Sequence, residues 1–300
     1  MNELNRSAQK YQARTLHRNA TPTAVPDLNS PSWCLLVSPR LSGPRRGMAI
    51  LTVLFFVLSC WAQPKSDLAP APPLDRAEGE RQALALVGHL LEQRPEQAAT
   101  NTTVLKIRDS EGKQREVSAR FEVVPGPDAW LNIYEAATAP GQPPITLTIV
   151  HRAAQPNEYL LSDGDHQSGS KKLAPGELMA PFAGSDFWVA DLGLEFLHWP
   201  QQRVLRKQMR KGLFCDVLQS VNPEPARGGY SRVVSWIAAN RPEDIVIVHA
   251  EAFDSNDKLL KEFDPKKVEK VNGLWQLEEM EIRNRQAGSR TRIDFNLNQN

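Results

Sequence analysis

Three hundred residues, 41% hydrophobic and 24% charged, leave room for one large folded domain or two small ones. Residues 1–47 hold seven Lys/Arg and two Asp/Glu, so the chain from residue 48 onward carries 29 basic and 33 acidic side chains, a net of −4. That sign opposes nucleic-acid binding, which is driven by neutralising phosphates. Cysteines at positions 34, 60 and 215 alone exclude a cysteine zinc site and an internal disulfide framework in the body, which must be held by its core.

Residues 1–47 are polar and interrupted by Pro22, Pro26, Pro31, Pro39 and Pro44, and the composition predicts disorder. Two readings stand: a start site placed too early, with the true start between Leu41 and Met48, or an authentic extended leader. Ala49 to Ala62 contains no charge and follows Arg45-Arg46, so residues 48–62 have the layout of a secretory signal. The run is too short to span a bilayer, which takes roughly 20 apolar residues. Export to the periplasm is therefore expected, by the general route rather than the twin-arginine one. Val57-Leu58-Ser59-Cys60 resembles a lipobox, making Cys60 a lipid-attachment candidate and outer-membrane anchoring an option. Leu58 and Trp61 fit that motif poorly, and cleavage after Ala62 is the alternative.

Residues 63–74, with Pro64, Pro70, Pro72 and Pro73, read as a semi-stiff tether or as a frayed terminus. From Asp75 to about Ala98, Ala83, Leu86, Val87, Leu90 and Leu91 follow the spacing of an amphipathic helix. Asp75, Glu78 and Glu80 suit its N-terminal end. Beyond residue 100 the period changes to two. Strands are predicted at Thr102–Arg108, Glu116–Val124, Ala129–Glu135, Ile145–Arg152, Glu158–Ser162, Arg203–Met209, Leu213–Val221, Ser231–Ile237, Ile245–Phe253, Leu259–Val271, Trp275–Arg283 and Arg290–Leu297. Turn residues such as Asp163-Gly164, Lys211-Gly212 and Asn272-Gly273 separate them. The fold class is mainly β (α+β): a meandering antiparallel sheet that must curl around, or be covered by, apolar residues. A second helix is predicted at Asp186–Trp199, capped by Ser185, with Asp186 complementing its dipole and Pro200 ending it. Being apolar all round, it should be buried.

Gly184-Ser185-Asp186-Phe187 with Asp191-Leu192, Tyr230-x-x-Val233-x-x-Trp236-Ile237, the hairpin Asp254–Lys261, and Trp275 through Met280-Glu281-Ile282 to Asn284 and Gly288-Ser289-Arg290-Thr291 together resemble a family of bacterial outer membrane lipoprotein-sorting proteins. That family is related in fold to the LolA and LolB carriers and to the sensor domain of RseB, and the similarity covers roughly residues 78–298. Ser185 replaces a threonine and preserves the hydroxyl. Asp257 replaces a hairpin glycine, and aspartate tolerates left-handed backbone. The resemblance implies one LolA-like domain over residues 75–300, a half-open barrel whose helices close its mouth over an apolar cavity for acyl chains of lipids or lipoproteins. Lining candidates are Trp130, Phe187, Leu192, Phe196, Trp236 and Trp275, with ordinary core as their alternative role.

No nucleophile elbow, phosphate loop or zinc-protease motif is present in the sequence, and no catalytic site, metal or cofactor is expected. Asp163-Gly164-Asp165-His166 and Asp254-x-Asn256-Asp257 read as turns, and Cys215 as an apolar filler. Arg203, Arg206, Lys207 and Arg210 are candidates for contact with phospholipid headgroups or an inner-membrane or envelope partner, or else a charged, solvated strand edge. The expected function is a monomeric carrier or acceptor of acyl chains. The alternative is a sensor or interaction module on the same scaffold, binding another envelope protein and transporting no cargo.

Overall fold

The computed structural model describes residues 71–295 apart from 140, 154, 165–168, 240–244 and 272–273, and leaves the side chains of 268–271 and 274–276 undescribed. The expected leader, signal, Cys60 and most of the tether lie outside the described residues, as do His166, the Asn272-Gly273 turn and the last predicted strand residues.

One helix precedes the sheet. α1 (Arg76–Glu92) begins where the Asp75 carboxylate accepts the amide of Glu78 at 3.1 Å, a side-chain cap for one of the first free N–H groups. It stops short of the predicted Ala98. Gln93 turns extended, and Arg94 precedes Pro95, which disfavours helical backbone at that position. The inward residues are Gly79, Ala83, Leu86 and Val87, the predicted stripe with a glycine added at its start.

Thirteen strands form one antiparallel sheet: β1 (Ala99–Arg108), β2 (Gln114–Val124), β3 (Ala129–Ala137), β4 (Ile145–Arg152), β5 (Glu158–Ser162), β6 (Lys171–Lys172), β7 (Gln201–Arg210), β8 (Leu213–Val221), β9 (Arg232–Ala239), β10 (Ile245–Phe253), β11 (Leu259–Val271), β12 (Leu274–Asn284) and β13 (Ser289–Phe295). The order is β6-β5-β4-β3-β2-β1-β13-β12-β11-β10-β9-β8-β7. Two meanders are thus joined where the first and last strands pair, Thr103 opposite Phe295 through Arg108 opposite Arg290. The sheet is curved and unclosed, with β6 and β7 as its edges. Register slips at Val204/Arg206, Ile247/His249 and around Pro265–Val268 are bulges, which bend a strand and increase its twist. β6, two lysines long, has too few residues to carry a period and is not among the predicted strands.

The second predicted helix is not continuous. Residues 178–199 form an irregular plug on the concave face. Only α2 (Val189–Leu192) is α-helical, followed by a 3₁₀ turn at Glu195–His198 and preceded by a 3₁₀ turn at Phe182–Gly184 that lies between Pro181 and Trp188, themselves paired in an isolated bridge. Leu194 takes left-handed backbone (φ 49°, ψ 42°), which breaks a helix after a few residues. Ser185 does not cap it: its hydroxyl accepts the Phe187 amide at 3.1 Å. Asp186 instead accepts the Thr291 hydroxyl at 2.8 Å, while its own amide donates back to that hydroxyl at 2.9 Å. The run is apolar all round because it is wedged between two halves of the core. Phe182, Phe187, Val189 and Ala190 pack with β1–β5, β12 and β13, whereas Phe196, Leu197 and Trp199 pack with α1 and β7–β11.

Candidate functional site

The plug is pinned on both sides by polar side chains from the sheet. On the β3–β5 side, the Tyr134 hydroxyl donates to the Leu192 carbonyl at 3.2 Å, Asn157 Nδ2 to the Gly193 carbonyl at 2.9 Å, and the Tyr159 hydroxyl to Glu195 Oε2 at 2.7 Å. Gly193 is required there, since a Cβ would lie 2.2 Å from the Tyr159 oxygen. On the β9–β13 side, Tyr230 donates to Asp191 Oδ1 at 2.8 Å, and Lys261 Nζ donates to the Asp186 carbonyl at 2.7 Å, with Asp191 Oδ2 at 3.4 Å. Asp191 Oδ2 also accepts the Trp188 amide at 2.7 Å. Lys261 is 1% exposed and sits 3.5 Å from the Trp188 ring centre. Burial lowers its pKa to about 8, against the pull of Asp191 and Asp186. Burial likewise raises Tyr134 to about 12 and lifts Tyr159 and Tyr230 well above the ordinary phenol value.

Two hollows flank this plug. The inner one, about 40 Å³, is lined mainly by Phe196, Val233, Ile247, Phe263 and Ile282, with Lys261, Asp191 and Tyr230 at its polar end. It has room for a few waters at most. The outer cleft, about 400 Å³, opens between the end of α1, β3, β4 and the plug. Its apolar wall is Leu90, Leu91, Trp130, Leu194 and Leu197, and its polar rim is His151, Arg152, Asn157 and His198. That volume falls within the range of ligand pockets. Leu194 lines both hollows.

The rim is neutral near pH 7 except for Arg152. His151 stacks on Trp130 with ring centres 5.0 Å apart, and Asn132 Nδ2 lies 3.0 Å from its Nε2. Burial lowers His151 to about 4 and lowers His198 as well. Arg152 is paired with Glu158 at 3.3 Å. An apolar wall with uncharged imidazoles at its edge accepts a hydrocarbon chain without stranding a charge.

Of the predicted lining residues, Trp130 lines the outer cleft and Phe196 the inner hollow. Phe187 is core at 2% exposure, and Leu192 packs on the same cluster. Trp236 is on the opposite face of the sheet with Cys215, Val217 and Val248, donating to Gln208 at 3.3 Å, and lines neither hollow. The Trp275 side chain lies outside the description. The four basic candidates of β7 do not converge: Arg203 lies under Gly79 of α1, Arg206 bonds Gln208, Lys207 pairs with Asp216 at 2.7 Å, and Arg210 lies 4.5 Å from the Trp236 ring centre. Sequence reasoning missed Leu90, Leu91, Leu194 and Leu197 as lining, and missed His151 and His198. The signal was there in part, since Leu90 and Leu91 sit at the C-terminal end of the amphipathic stripe.

Comparison with solved structures places this architecture. A DUF1329 family protein from Desulfovibrio piger superimposes with a TM-score of 0.58 and 17% identity, over 74% of this chain and 95% of that one. A domain described as an outer membrane lipoprotein-sorting protein, from Vibrio parahaemolyticus, gives 0.58 and 15%, over 75% of this chain and 94% of the other. This chain has their fold. A LolA superfamily protein from Nitrosomonas europaea gives 0.49 and 13%, over 72% and 91%. A family model described as an uncharacterized protein matches residues 165–298, a range that takes in the plug and β7–β13. No curated protein matches the sequence.

Proposed function

We propose that this chain is a periplasmic carrier or acceptor that holds acyl chains of lipoproteins or other lipids in the outer cleft, and that it is monomeric. The observation that carries this reading is the 400 Å³ cleft itself, walled by Leu90, Leu91, Leu194, Leu197 and Trp130 on a scaffold shared with a lipoprotein-sorting domain. Each buried CH₂ is worth about 0.8 kcal/mol, so an acyl chain laid along such a wall contributes several kcal/mol before ordering costs. The role is binding and requires no catalytic group. Export through residues 48–62, and retention at the outer membrane through Cys60 if that residue is acylated, would put the cleft where such cargo passes.

A second reading rests on the small size of the inner hollow. The concave face is filled by the chain's own plug, which leaves no room for cargo there and suits a sensor or interaction module that binds another envelope protein. Native mass spectrometry of the exported chain, with displacement of a fluorescent fatty acid, separates the two. The carrier reading expects acyl adducts and displacement that weakens in Leu91→Arg. A chain that carries no adduct and displaces nothing, yet retains a protein partner, sinks the carrier and leaves the module.

A further inference from the structure

The end of the sheet built from the β7–β8 and β9–β10 pairs carries two exposed apolar side chains, Met209 and Phe214, in line with Ile245, which packs against the α1 cluster. Met209 and Phe214 stand directly opposite each other, 39% and 66% exposed. Ala239 and Ile245 are likewise opposite in β9 and β10, exposed and half-buried respectively. Because Cys215 pairs with Ala238, Phe214 lies beside Ala239 in the antiparallel register. The four residues therefore make one row across four strands. The row continues the face on which α1 lies, since Phe214, Asp216 and Leu218 alternate on one side of β8 and Leu218 belongs to the α1 cluster. Gly79 of α1 lies against Arg203 and Val204 near the start of β7, while Met209 and Phe214 at its far end stay exposed.

Basic groups flank the row. Lys207, on the Met209 face, is 61% exposed beside Asp216. The Lys211-Gly212 turn stands clear, with no atom within 4 Å of a Cβ built on Gly212, and Lys211 reaches back to the Pro265 carbonyl at 2.7 Å and Asp264 at 3.2 Å. Arg206 and Arg210 occupy the reverse face. Arg206, Lys207, Arg210 and Lys211 against Asp216, Asp264 and Glu251, the last held below its ordinary pKa by its hydrogen bond with His249 and partly by Arg210, leave this tip an excess of one positive charge. An aromatic ring and a thioether exposed at a hairpin end, with lysine and arginine nearby, suit a surface that is apolar inside and negative outside. We propose that Met209 and Phe214 insert into an anionic phospholipid bilayer while Lys207 and Lys211 meet its phosphates. This docking surface does not depend on what the cleft holds.

The test is hydroxyl-radical footprinting of the full chain carrying Cys60→Ser, so that its own acylation cannot supply the attachment, with vesicles of phosphatidylglycerol in phosphatidylcholine or of phosphatidylcholine alone. Met209 and Phe214 are expected to be protected by the anionic vesicles, while Leu84, 78% exposed on α1, stays as reactive as in solution. Phe214→Glu should lower the vesicle-bound fraction at least about 10-fold and Phe214→Trp should retain it, the apolar burial of one aromatic side chain covering that factor. Equal labelling of Met209 and Phe214 with and without anionic vesicles overturns the proposal. So does protection that appears without lipid as protein concentration rises, which would make the row a contact between copies of the chain.

Discussion

The ammonium of Lys261 lies 2.7 Å from the main-chain carbonyl of Asp186 and 3.5 Å from the centre of the Trp188 ring, a buried cation that fastens the plug to β11 from within the core. With Tyr230 and the Trp188 amide on Asp191, and Thr291 on Asp186, it gives an irregular segment hydrogen-bond partners that a helix would have supplied internally.

Lys261→Met should therefore destabilise the fold by about 3 kcal/mol, because breaking one side of a buried pair leaves the Asp191 carboxylate short of its countercharge. The native pKa of Lys261, about 8, lies below its ordinary 10.5. Between these values the unfolded chain holds a proton that the folded chain has released, so stability rises with pH across the window. Urea unfolding of both proteins on the lower part of that window, below the range where tyrosines titrate, should show the rise in the wild type and its loss in Lys261→Met. An unchanged slope would mean that the lysine is charged and unstrained in the fold.

Two glycines of α1 should respond in opposite directions. A Cβ on Gly79 would lie 2.4 Å from the Val204 carbonyl oxygen and 2.8 Å from Arg203 Cγ, whereas one on Gly88 meets nothing within 4 Å. Helix propensity favours alanine over glycine by about 1 kcal/mol at either site. Gly88→Ala should gain most of that. Gly79→Ala should lose about 1–3 kcal/mol, since the clash is with backbone and the helix must lift off β7. Thermal unfolding of the two single variants checks the difference in sign.

The parts of this fold that were legible are those fixed locally. Asp254 accepts the amides of Asn256 and Lys258 at 2.9 Å, and Asp257 sits at φ 62°, so the hairpin chemistry read from four residues is the chemistry that forms. The α1 stripe and the strand periods were legible for the same reason. The plug was not: a run apolar on every side fits a buried helix or a wedge equally well, and the groups that decide between them, Lys261 and Thr291, come from strands far along the chain. For Trp236, a cavity candidate with ordinary core as its alternative, the strand pattern cannot choose a face, because β9 is buried on both sides. Sequence spacing gives no sign of the His249–Asp264 pair, because the two meet only through the β10–β11 pairing.

That pairing carries a pH dependence. Burial alone would lower the His249 pKa, but hydrogen bonds from its ring to the carboxylates of Asp264 at 2.9 Å and Glu251 at 3.2 Å outweigh it and raise the value above 6.5. A raised native pKa gives stability that is complete below 6.5 and lost as pH rises through the folded value. Asp264 is held far below the usual carboxylate range, against the cost of its own burial, by His249 and Lys211. Its contribution is therefore present at neutral pH and lost only on strong acidification. His249→Gln should remove about 1 kcal/mol at pH below 6.5 and less above it. The difference between variant and wild type isolates this group from His151, whose native value of about 4 drives stability the opposite way between 4 and 6.5. A difference independent of pH would show that His249 stays neutral.

Leu194 lines both the cleft and the inner hollow, and its left-handed backbone is one that glycine adopts without strain. Left-handed geometry costs a non-glycine residue roughly 1–2 kcal/mol, and the added flexibility of glycine in the unfolded chain takes back about 0.5–1 kcal/mol, so Leu194→Gly should fold within about 1 kcal/mol of the wild type. Removing its side chain joins the 400 Å³ cleft to the 40 Å³ hollow and should shift the preferred fatty acid toward longer chains. Leu194→Trp fills the cleft and should weaken a fluorescent fatty acid by about 10-fold, equivalent to about 1.4 kcal/mol. Titration of a chain-length series against the three proteins reads both effects. Identical affinities and an unmoved chain-length optimum in all three would place the acyl chain somewhere other than this cleft.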